Sequence, residues 1–220
     1  MSRERVRTMA HEAIARGEPT AWFERLYQEA AGDPTKVPWA DLRPNHRLIE
    51  WCMHNQVKGE GRSACVVGVG LGDDAEALCA VGFNVTAFDV SETAIAWAKK
   101  RHPSSVVRYE VLDLFDAPRH YAQGFDFVFE AYTIQSMPLS LRVRALEALA
   151  AIVGPKGSLL LVARGRNDDA PPEGPPWPLS QKDLAVLEQT TLKRTYHEPY
   201  REPGDEGVER FAAEYRRDSV

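Results

Sequence analysis

A glycine-rich stretch that runs directly into two acids is the most distinctive candidate for a binding site. The segment VVGVGLGDDAEAL, residues 66–78, places glycines at alternate positions, Gly68 and Gly70 among them, and continues with Asp73 and Asp74. Glycine allows positive φ and close approach of a ligand to the main chain. A dinucleotide-binding loop needs its third glycine where Asp73 stands, and a carboxylate there repels a phosphate by roughly 1 kcal/mol. The stretch therefore favours a positively charged ligand, and capping of the next helix is the alternative role of either aspartate.

Two further acids follow apolar runs downstream. Asp89 ends the run NVTAFD about 20 residues after the glycines, where a carboxylate can accept both hydroxyls of a ribose; the alternative is a cap on the helix that starts near Ser91. Asp113, in VRYEVLDLFD, is placed to accept from an adenine amino group while the Leu114 amide donates to a ring nitrogen; the alternative is a solvated turn. Together these groups describe an adenosine with a cationic substituent and no phosphate, which S-adenosylmethionine (SAM) matches.

Composition limits the classes of partner and site. The 220 residues carry a formal net charge of −5, so no basic excess favours nucleic-acid binding. No apolar run approaches the roughly 18 residues that span a membrane, and the N-terminal stretch has no secretory h-region. The three cysteines are widely spaced and the six histidines show no metal-ligand spacing. We therefore expect no metal, no nucleic-acid or membrane partner, and a reducing, cytoplasmic setting.

Apolar, β-branched runs alternate with helical segments through the middle of the chain. Buried parallel strands have this composition, and the alternation predicts a doubly wound α/β sheet whose ligands bind at the carboxyl ends of the strands. We predict strands at residues 63–69, 84–89, 106–111, 126–130 and 158–163, and helices at residues 74–81, 91–101 and 138–153.

Two helices are predicted ahead of this core. Residues 20–30 place aromatic side chains on one face, and residues 46–56 form a second amphipathic segment. The residues before them are read as a short helix or a frayed tail. The inward face of the second helix is predicted to carry Leu48, Ile49, Cys52 and Met53.

The alternation of strands and helices stops after the fifth strand. Residues 165–178 are a proline-dense loop, residues 180–189 are helical, and strand candidates lie near residues 192–196 and 208–215. The turn-rich connection between these last two predicts an antiparallel hairpin. The predicted fold is a single doubly wound, Rossmann-like α/β domain with a seven-stranded, mostly parallel sheet and an antiparallel C-terminal hairpin.

Four motifs in residues 60–163 resemble those of class I SAM-dependent methyltransferases. VVGVGLG resembles motif I, TAFDVS motif II, VLDLFD the adenine motif, and DFVFEAYT the motif after the fourth strand. The resemblance implies SAM as cofactor, S-adenosylhomocysteine (SAH) as product, a SAM-binding domain over residues 58–220 and an N-terminal helical lid over residues 1–57. Motif I departs from the family at Val66, where an acid often stands, so Asp73 or a backbone carbonyl would take over the contact with the methionine ammonium.

The flanking segments are similar to those of the thiopurine and thiol/halide methyltransferase group. An aromatic helix, PWADLRPN and the late GPPWPLS run carry this similarity. It implies that Trp22 and Trp39 cover the cofactor and that Trp177 faces the acceptor; packing in the core or against the loop is the alternative for each. Ala131 stands where some members have an arginine, so their substrates are not transferred to this chain.

Methyl transfer needs an in-line approach of the acceptor, which an enzyme can supply by proximity and orientation. Where the acceptor must lose a proton, a base is needed, and Tyr132 and Glu130 lie at the end of the fourth strand; the alternative role of Glu130 is to hold the methionine end. His120 and Arg164 lie in loops on the same side, with a structural or solvated role as the alternative.

These inferences define a predicted site and function. We expect methyl transfer to a sulfur, nitrogen or oxygen atom of a small, aromatic or thiol-containing molecule, by a monomer or homodimer. A catalytically silent SAM-fold binding or sensor protein is the alternative, and Asp73 disfavours an NAD(P)-linked oxidoreductase. The predicted cofactor contacts are Trp22, Trp39, Gly68, Val69, Gly70, Asp73, Asp89, Val90, Asp113, Leu114 and Glu130; the acceptor contacts are Trp39, Tyr132, Arg164 and Trp177; the catalytic residues are Tyr132 and Glu130.

Overall fold

The computed structural model describes residues 1–117, 119–169 and 174–218, so residues 170–173 of the predicted proline-rich loop lie outside the described residues. Within those ranges three helices precede a segment in which strands and helices mostly alternate, and two consecutive strands end it. The helices are α1 (Arg3–Ala15), α2 (Ala21–Ala30), α3 (His46–His54), α4 (Asp73–Ala80), α5 (Glu92–Arg101), α6 (Arg142–Ile152) and α7 (Gln181–Glu188). The strands are β1 (Ser63–Val67), β2 (Asn84–Asp89), β3 (Arg108–Val111), β4 (Phe125–Ala131), β5 (Val153–Arg164), β6 (Leu192–Glu202) and β7 (Asp205–Arg217).

The seven strands form one sheet in the order β3-β2-β1-β4-β5-β7-β6. β2 pairs with β3 and β4 pairs with β5 in parallel, whereas β7 runs antiparallel to both β5 and β6. A parallel sheet is covered by helices on both faces, so its strands are apolar throughout. The apolar strands that alternate with helices in this chain fit that arrangement. The predicted fold class, a mostly parallel doubly wound sheet with an antiparallel C-terminal hairpin, is confirmed.

Element boundaries differ from the predicted ones where tertiary pairing overrides local turn signals. β5 begins at Val153, directly after α6, and Val153 pairs with Phe125. A Cβ on Gly157 would lie 2.8 Å from the carbonyl oxygens of Gly154 and Phe125, so glycine is needed for this close backbone approach. Pro138 precedes a short 3₁₀ turn rather than opening a helix, and α6 begins only at Arg142.

The inward face predicted for α3 is wrong in part. Leu48 is fully buried, but Ile49 is 37% exposed and Met53 is 73% exposed. Cys52 is half-buried. The buried face of α3 is therefore narrower than its apolar pattern suggests, since Leu48 is its one buried side chain.

The first of two compact units comprises Met1–Gly61 and Cys65–Asp113. Its N-terminal stretch is helical rather than frayed: α1 starts after Ser2, whose hydroxyl accepts from the Arg5 amide. One buried cluster joins α1, α2 and α5 to the glycine-rich loop. Because Leu71 belongs to this cluster, the N-terminal helices and the loop share one hydrophobic core.

The second unit comprises Arg62–Ala64 and Leu114–Val220. Its core contains fully buried side chains of β4, β5 and α6, such as Phe129, Leu160 and Leu146. Arg217 of β7 donates to the carbonyl oxygens of Val153 and Ala150, which satisfies the carbonyls where α6 passes into β5. In the described part of the chain, no helix is both long enough and apolar enough to cross a membrane.

Candidate functional site

The glycine-rich loop joins β1 to α4 with an unusual backbone. Gly68, Gly70 and Gly72 all have positive φ, at 66°, 55° and 97°. A side chain is disfavoured in this conformation, so the loop depends on glycine. A Cβ on Gly70 would lie 3.2 Å from the Tyr27 hydroxyl, which shows how closely α2 approaches the loop. The Val69 amide donates to the Phe88 carbonyl at 3.0 Å and fixes the loop against the end of β2.

Asp89, at the carboxyl end of β2, lies directly beside this loop. Its side chain is 8% exposed, Oδ2 accepts from the Gly70 amide at 3.0 Å, and Oδ1 accepts from the Ser91 amide at 2.9 Å. Burial, together with the negative charge of Glu24, raises the pKa of Asp89 to about 6 although backbone bonds oppose this. A carboxylate oxygen can accept more than one hydrogen bond, so Asp89 retains acceptor capacity for a ligand. Val90 next to it is half-buried.

Asp73 and Asp74 have different partners. Asp73 accepts from both terminal nitrogens of Arg101, at 2.7 and 2.8 Å, so its charge is already paired. Asp74 accepts from the Asn45 amide at 2.6 Å, just before α3. Burial raises the pKa of Asp74 to about 6, and the neighbouring acids Asp73 and Asp41 add to the rise. The cofactor contact expected for Asp73 stays a prediction, and the pairing with Arg101 removes the unpaired negative charge on which that expectation rested.

The aromatic residues of the N-terminal segment form one cluster with the loop. Trp39 is 37% exposed, and its Nε1 donates to the Tyr27 hydroxyl at 2.9 Å. Burial raises the pKa of Tyr27, and the nearby charge of Asp89 raises it further. Trp22 is 1% exposed, packs edge-on against Trp39, and has no hydrogen-bond partner for Nε1 among the described residues. Tyr27, which the sequence had placed only among apolar helix residues, is therefore part of the candidate site.

Glu24 of α2 is a second site residue that the sequence did not reveal. Its carboxylate accepts from the Ser91 hydroxyl at 2.6 Å, the Thr93 hydroxyl at 2.6 Å and the Thr93 amide at 3.1 Å. Partial burial acts to raise the pKa of Glu24, but these bonds outweigh it and the pKa is lowered. The carboxylate therefore fixes α2 to the start of α5, two residues from Asp89.

The predicted adenine residues lie just past β3. The Leu112 amide donates to the Asp89 carbonyl at 2.9 Å, which holds the segment before Asp113 against the end of β2. Asp113 is half-buried. Leu114 is 5% exposed and begins a 3₁₀ turn in the second unit. Their contacts with adenine stay a prediction.

Glu130, near the end of β4, is a fully buried carboxylate in the second unit. Oε1 accepts from the amides of Thr133 and Ile134, at 2.6 and 3.0 Å, while Oε2 has no hydrogen-bond partner among the described residues. Burial raises the pKa of Glu130 to about 7, although these bonds and the charge of Arg142 oppose the rise. A buried carboxyl with a raised pKa and one unpartnered oxygen is a candidate functional group.

Tyr132 follows β4 in a strained backbone conformation, with φ of 63°. Its hydroxyl lies 3.1 Å from the hydroxyl of Tyr200 on β6, a residue that the sequence did not single out. Burial raises the pKa of Tyr132, against the lowering effect of Tyr200, Arg210 and Arg164. The predicted acceptor residues Tyr132 and Arg164 thus lie within electrostatic range of each other.

Trp177 is held at the end of the proline-rich loop by main-chain bonds. Its amide donates to the Gln135 carbonyl at 2.6 Å, and its carbonyl accepts from Arg142 at 2.8 Å. The Gln135 side chain in turn accepts from the Arg164 amide at 2.6 Å. Trp177 is 9% exposed, so both packing and acceptor contact remain compatible with its position. His120 is exposed, with its ring edge-on to Tyr121.

The donor set of the first unit fits SAM. Asp89 offers acceptor capacity suited to ribose hydroxyls, the glycines permit close approach, and Tyr27 and Trp39 provide an aromatic wall beside them. Groups of three or more histidine, cysteine or acidic residues placed to bind a metal are absent from the described part of the chain. The site-residue assignments themselves stay predictions.

One family model matches the central segment of the chain. Residues 65–157 match the family model of the methyltransferase domain. No curated protein sequence matches the chain. The match includes the glycine-rich loop, Asp89, Asp113 and Glu130.

Solved structures share the fold at low identity. The 1,6-didemethyltoxoflavin-N1-methyltransferase of Burkholderia thailandensis, solved with 1,6-didemethyltoxoflavin and SAH, is 16% identical, with a TM-score of 0.71 over 96% of this chain and 91% of its own. The N-methyltransferase NodS of Bradyrhizobium japonicum WM9, in complex with SAH, is 17% identical, with a TM-score of 0.66 over 88% and 96%. The cyclase SpnF is 15% identical, with a TM-score of 0.67 over 80% and 81%.

The domain match and the SAH complexes support SAM as the cofactor. Resemblance to the thiopurine and thiol/halide group stays a prediction. Residues 65–157 match the methyltransferase-domain family model, within a chain that shares the Rossmann-like fold of the solved methyltransferase structures.

Proposed function

We propose that this protein is a SAM-dependent methyltransferase that methylates a sulfur, nitrogen or oxygen atom of a small, aromatic or thiol-containing molecule. The observation that carries the proposal is the position of Asp89, buried against the Gly70 amide at the carboxyl end of β2. Open α/β sheets bind ligands at this edge, and a carboxylate there suits a ribose. The methyltransferase-domain match over the same residues supports it.

The protein's own groups have separable tasks in this reaction. Bound SAM supplies an activated methyl group on a sulfonium, so the protein contributes mainly binding, orientation and exclusion of water. Asp89 accepts the ribose hydroxyls, and Asp113 with the Leu114 amide holds the adenine. Trp39, which is hydrogen-bonded to Tyr27, shields the loop from water.

Two residues of the second unit are the candidates for moving a proton. Glu130 has a pKa of about 7, so its carboxylate can accept a proton near neutral pH. Tyr132 can hold or relay the proton of the acceptor through its hydroxyl. An acceptor that is already ionised, such as an acidic thiol, requires neither, and Glu130 then serves to hold the methionine end.

The finer assignments follow from the flanking segments. The core that the N-terminal helices share with Leu71 supports a lid role for residues 1–57, next to a SAM-binding domain over residues 58–220. Trp177 and Arg164 line the acceptor side in this proposal, as in the thiopurine and thiol/halide group that the flanks resemble. We further propose a cytoplasmic monomer or homodimer.

Calorimetry with SAM, SAH and NADH tests the cofactor, and a screen of thiols, phenols and heteroaromatic amines with labelled SAM tests the reaction. We expect binding of SAM and SAH, no binding of NADH, and label transfer to at least one acceptor. Absence of heat with SAM and SAH would overturn the proposal.

A catalytically silent SAM-binding protein is the second candidate. The pairing of Asp73 with Arg101 favours it, because this acid is not free to replace the missing one at Val66. Binding of SAM without label transfer across the whole panel would select this candidate. The fold alone does not decide, since the cyclase SpnF shares it.

A further inference from the structure

Two tyrosine hydroxyls meet on the second unit, and one of them belongs to a residue outside the motifs. Tyr132 Oη lies 3.1 Å from Tyr200 Oη. Tyr132 follows β4, whereas Tyr200 lies on β6, and its side chain is 9% exposed. Ligands of open α/β sheets bind beyond the carboxyl ends of the strands, which is where Tyr132 lies. The pair, here called the hydroxyl pair, is therefore at the edge of the sheet that binds ligands.

Two arginines lie in register beside the hydroxyl pair, since Arg210 is opposite both Tyr200 on β6 and Arg164 on β5. Arg210 of β7 is opposite Tyr200 in the β6–β7 register and is 7% exposed. Its guanidinium is fixed by the Asp205 carboxylate at 2.5 Å and the Val208 carbonyl at 3.2 Å. Arg210 and Arg164 both act on Tyr132 electrostatically, and their effect opposes that of the acid Glu202.

The hydroxyl of Tyr132 has hydrogen-bonding capacity beyond this contact. A phenol can donate one hydrogen bond and accept two, and the bond with Tyr200 uses one of these. The amide of Tyr132 donates to the Val162 carbonyl at 2.9 Å, which fixes the main chain in its positive-φ conformation. A fixed hydroxyl beside two guanidinium groups suits an electron-rich oxygen.

We propose that the hydroxyl pair binds an oxygen of the acceptor molecule, and that Tyr200 thereby selects small acceptors that carry a phenolate, enolate or carbonyl oxygen. The inference rests on the proposed methyltransferase function, since it names the chemistry of the acceptor. In this role one hydroxyl of the pair donates to the bound oxygen while the other donates to its partner hydroxyl, and the Arg210 guanidinium lies beside them.

Binding of two probes to the purified full chain tests the proposal. The first probe is 4-nitrophenolate at a pH where it is ionised, and the second is nitrobenzene, which has the same ring and nitro group and lacks the phenolate oxygen. Dissociation constants are measured with and without SAH for wild type, Y200F and Y132F. The control is Y196F, because Tyr196 lies on the same strand, is 42% exposed and is outside the hydroxyl pair. Melting curves show that each variant is folded.

We expect wild type to prefer 4-nitrophenolate by about 10-fold or more, as one hydrogen bond to a charged group provides. Y200F and Y132F should each reduce this preference toward unity, and Y196F should retain it. A wild type without the preference, or a Y200F protein that keeps it, overturns the inference. A protein that fails to bind SAH overturns the proposed function instead, while the measurements without SAH still decide on the hydroxyl pair.

Discussion

Both carboxylate oxygens of Asp73 accept hydrogen bonds from Arg101, so the first residue of α4 is paired with the last residue of α5. Arg101 also donates to the Leu71 carbonyl at 2.6 Å. The guanidinium lies at the C-terminal end of α5, where the helix dipole favours positive charge. The acid that follows the glycine-rich loop thus acts as a structural link between two helices.

This link predicts a measurable coupling energy between Asp73 and Arg101. We expect R101Q and D73N each to lower the free energy of unfolding by roughly 1–2 kcal/mol, because each leaves a partly buried polar group without its charged partner. The double variant should lose about 1 kcal/mol less than the sum of the two. Urea denaturation measures all three. K100Q, at an exposed neighbouring cation, is the control and should change little; strict additivity would show that the pair contributes no energy.

Alanine substitutions at three glycines with positive φ should destabilise the protein to different degrees. Gly17 has φ of 78° and no atom within 4 Å of an added Cβ, so G17A is affected only by its backbone conformation. In G70A the new Cβ also meets the Tyr27 hydroxyl at 3.2 Å, and in G72A it meets the Tyr109 hydroxyl at 2.6 Å. We expect destabilisation of about 1 kcal/mol for G17A, more for G70A and most for G72A. Thermal unfolding ranks them, and a loss in G70A no larger than that in G17A would contradict the contact with Tyr27.

The raised pKa of Asp89 predicts that SAM affinity depends on pH. The ionised carboxylate accepts ribose hydroxyls better than the neutral acid, so affinity should fall as the pH drops through about 6. D89N should bind SAM about 10- to 100-fold more weakly and lose this dependence. D74N is the matched control, because Asp74 has a similarly raised pKa without a predicted ribose contact. Calorimetric titrations with SAM at pH values on either side of about 6 measure the affinity of wild type and both variants. An unchanged affinity in D89N would refute the ribose assignment.

Glu130 predicts a pH dependence of stability. Its pKa of about 7 lies above the ordinary value of 4.5, so between these values the folded protein binds more protons than the unfolded chain. The stabilisation from this group is complete at low pH and is lost as the pH rises through about 7. The free energy of unfolding should therefore decline less from about pH 5 to about pH 8 in E130Q than in wild type. E147Q, at an exposed glutamate of α6, should keep the wild-type slope; the same slope in E130Q would mean that Glu130 is ionised throughout.

Local patterns predicted most of the sheet because they are set by neighbouring residues. β2 covers the residues predicted for it, since a β-branched and aromatic run lies between Gly82 and the Ser91 cap. The start of β5 was missed because Gly154 and Pro155 locally favour a turn, and only pairing with β4 makes them a strand. The exposure of Ile49 and Met53 on α3 was not predicted, because an apolar pattern does not show how much of a helix face other elements cover.

In the candidate site, too, local motifs could be predicted from the sequence and contacts between distant residues could not. The position of Asp89 beside the glycine-rich loop could be predicted because its distance from the loop along the chain is part of a local motif. Glu24 and Tyr200 were missed because their partners lie 67 and 68 residues away, and no nearby signal marks them. The pairing of Asp73 with Arg101, 28 residues on, was missed for the same reason.

The carboxylate of Glu24 has a consequence for the lifetime of a bound cofactor. Any motion that lifts α2 from the start of α5 must break its bonds to Ser91 and Thr93 together. We expect stopped-flow measurements to show roughly 10-fold faster release of SAH from E24A, in proportion to the loss of about 1.4 kcal/mol, and an unchanged rate in E29A of the same helix. Equal release rates in the two variants would rule out this motion as the exit route. Faster release from E24A alone would mean that the contact between α2 and α5 sets how long the product stays bound, a step that limits turnover in many enzymes.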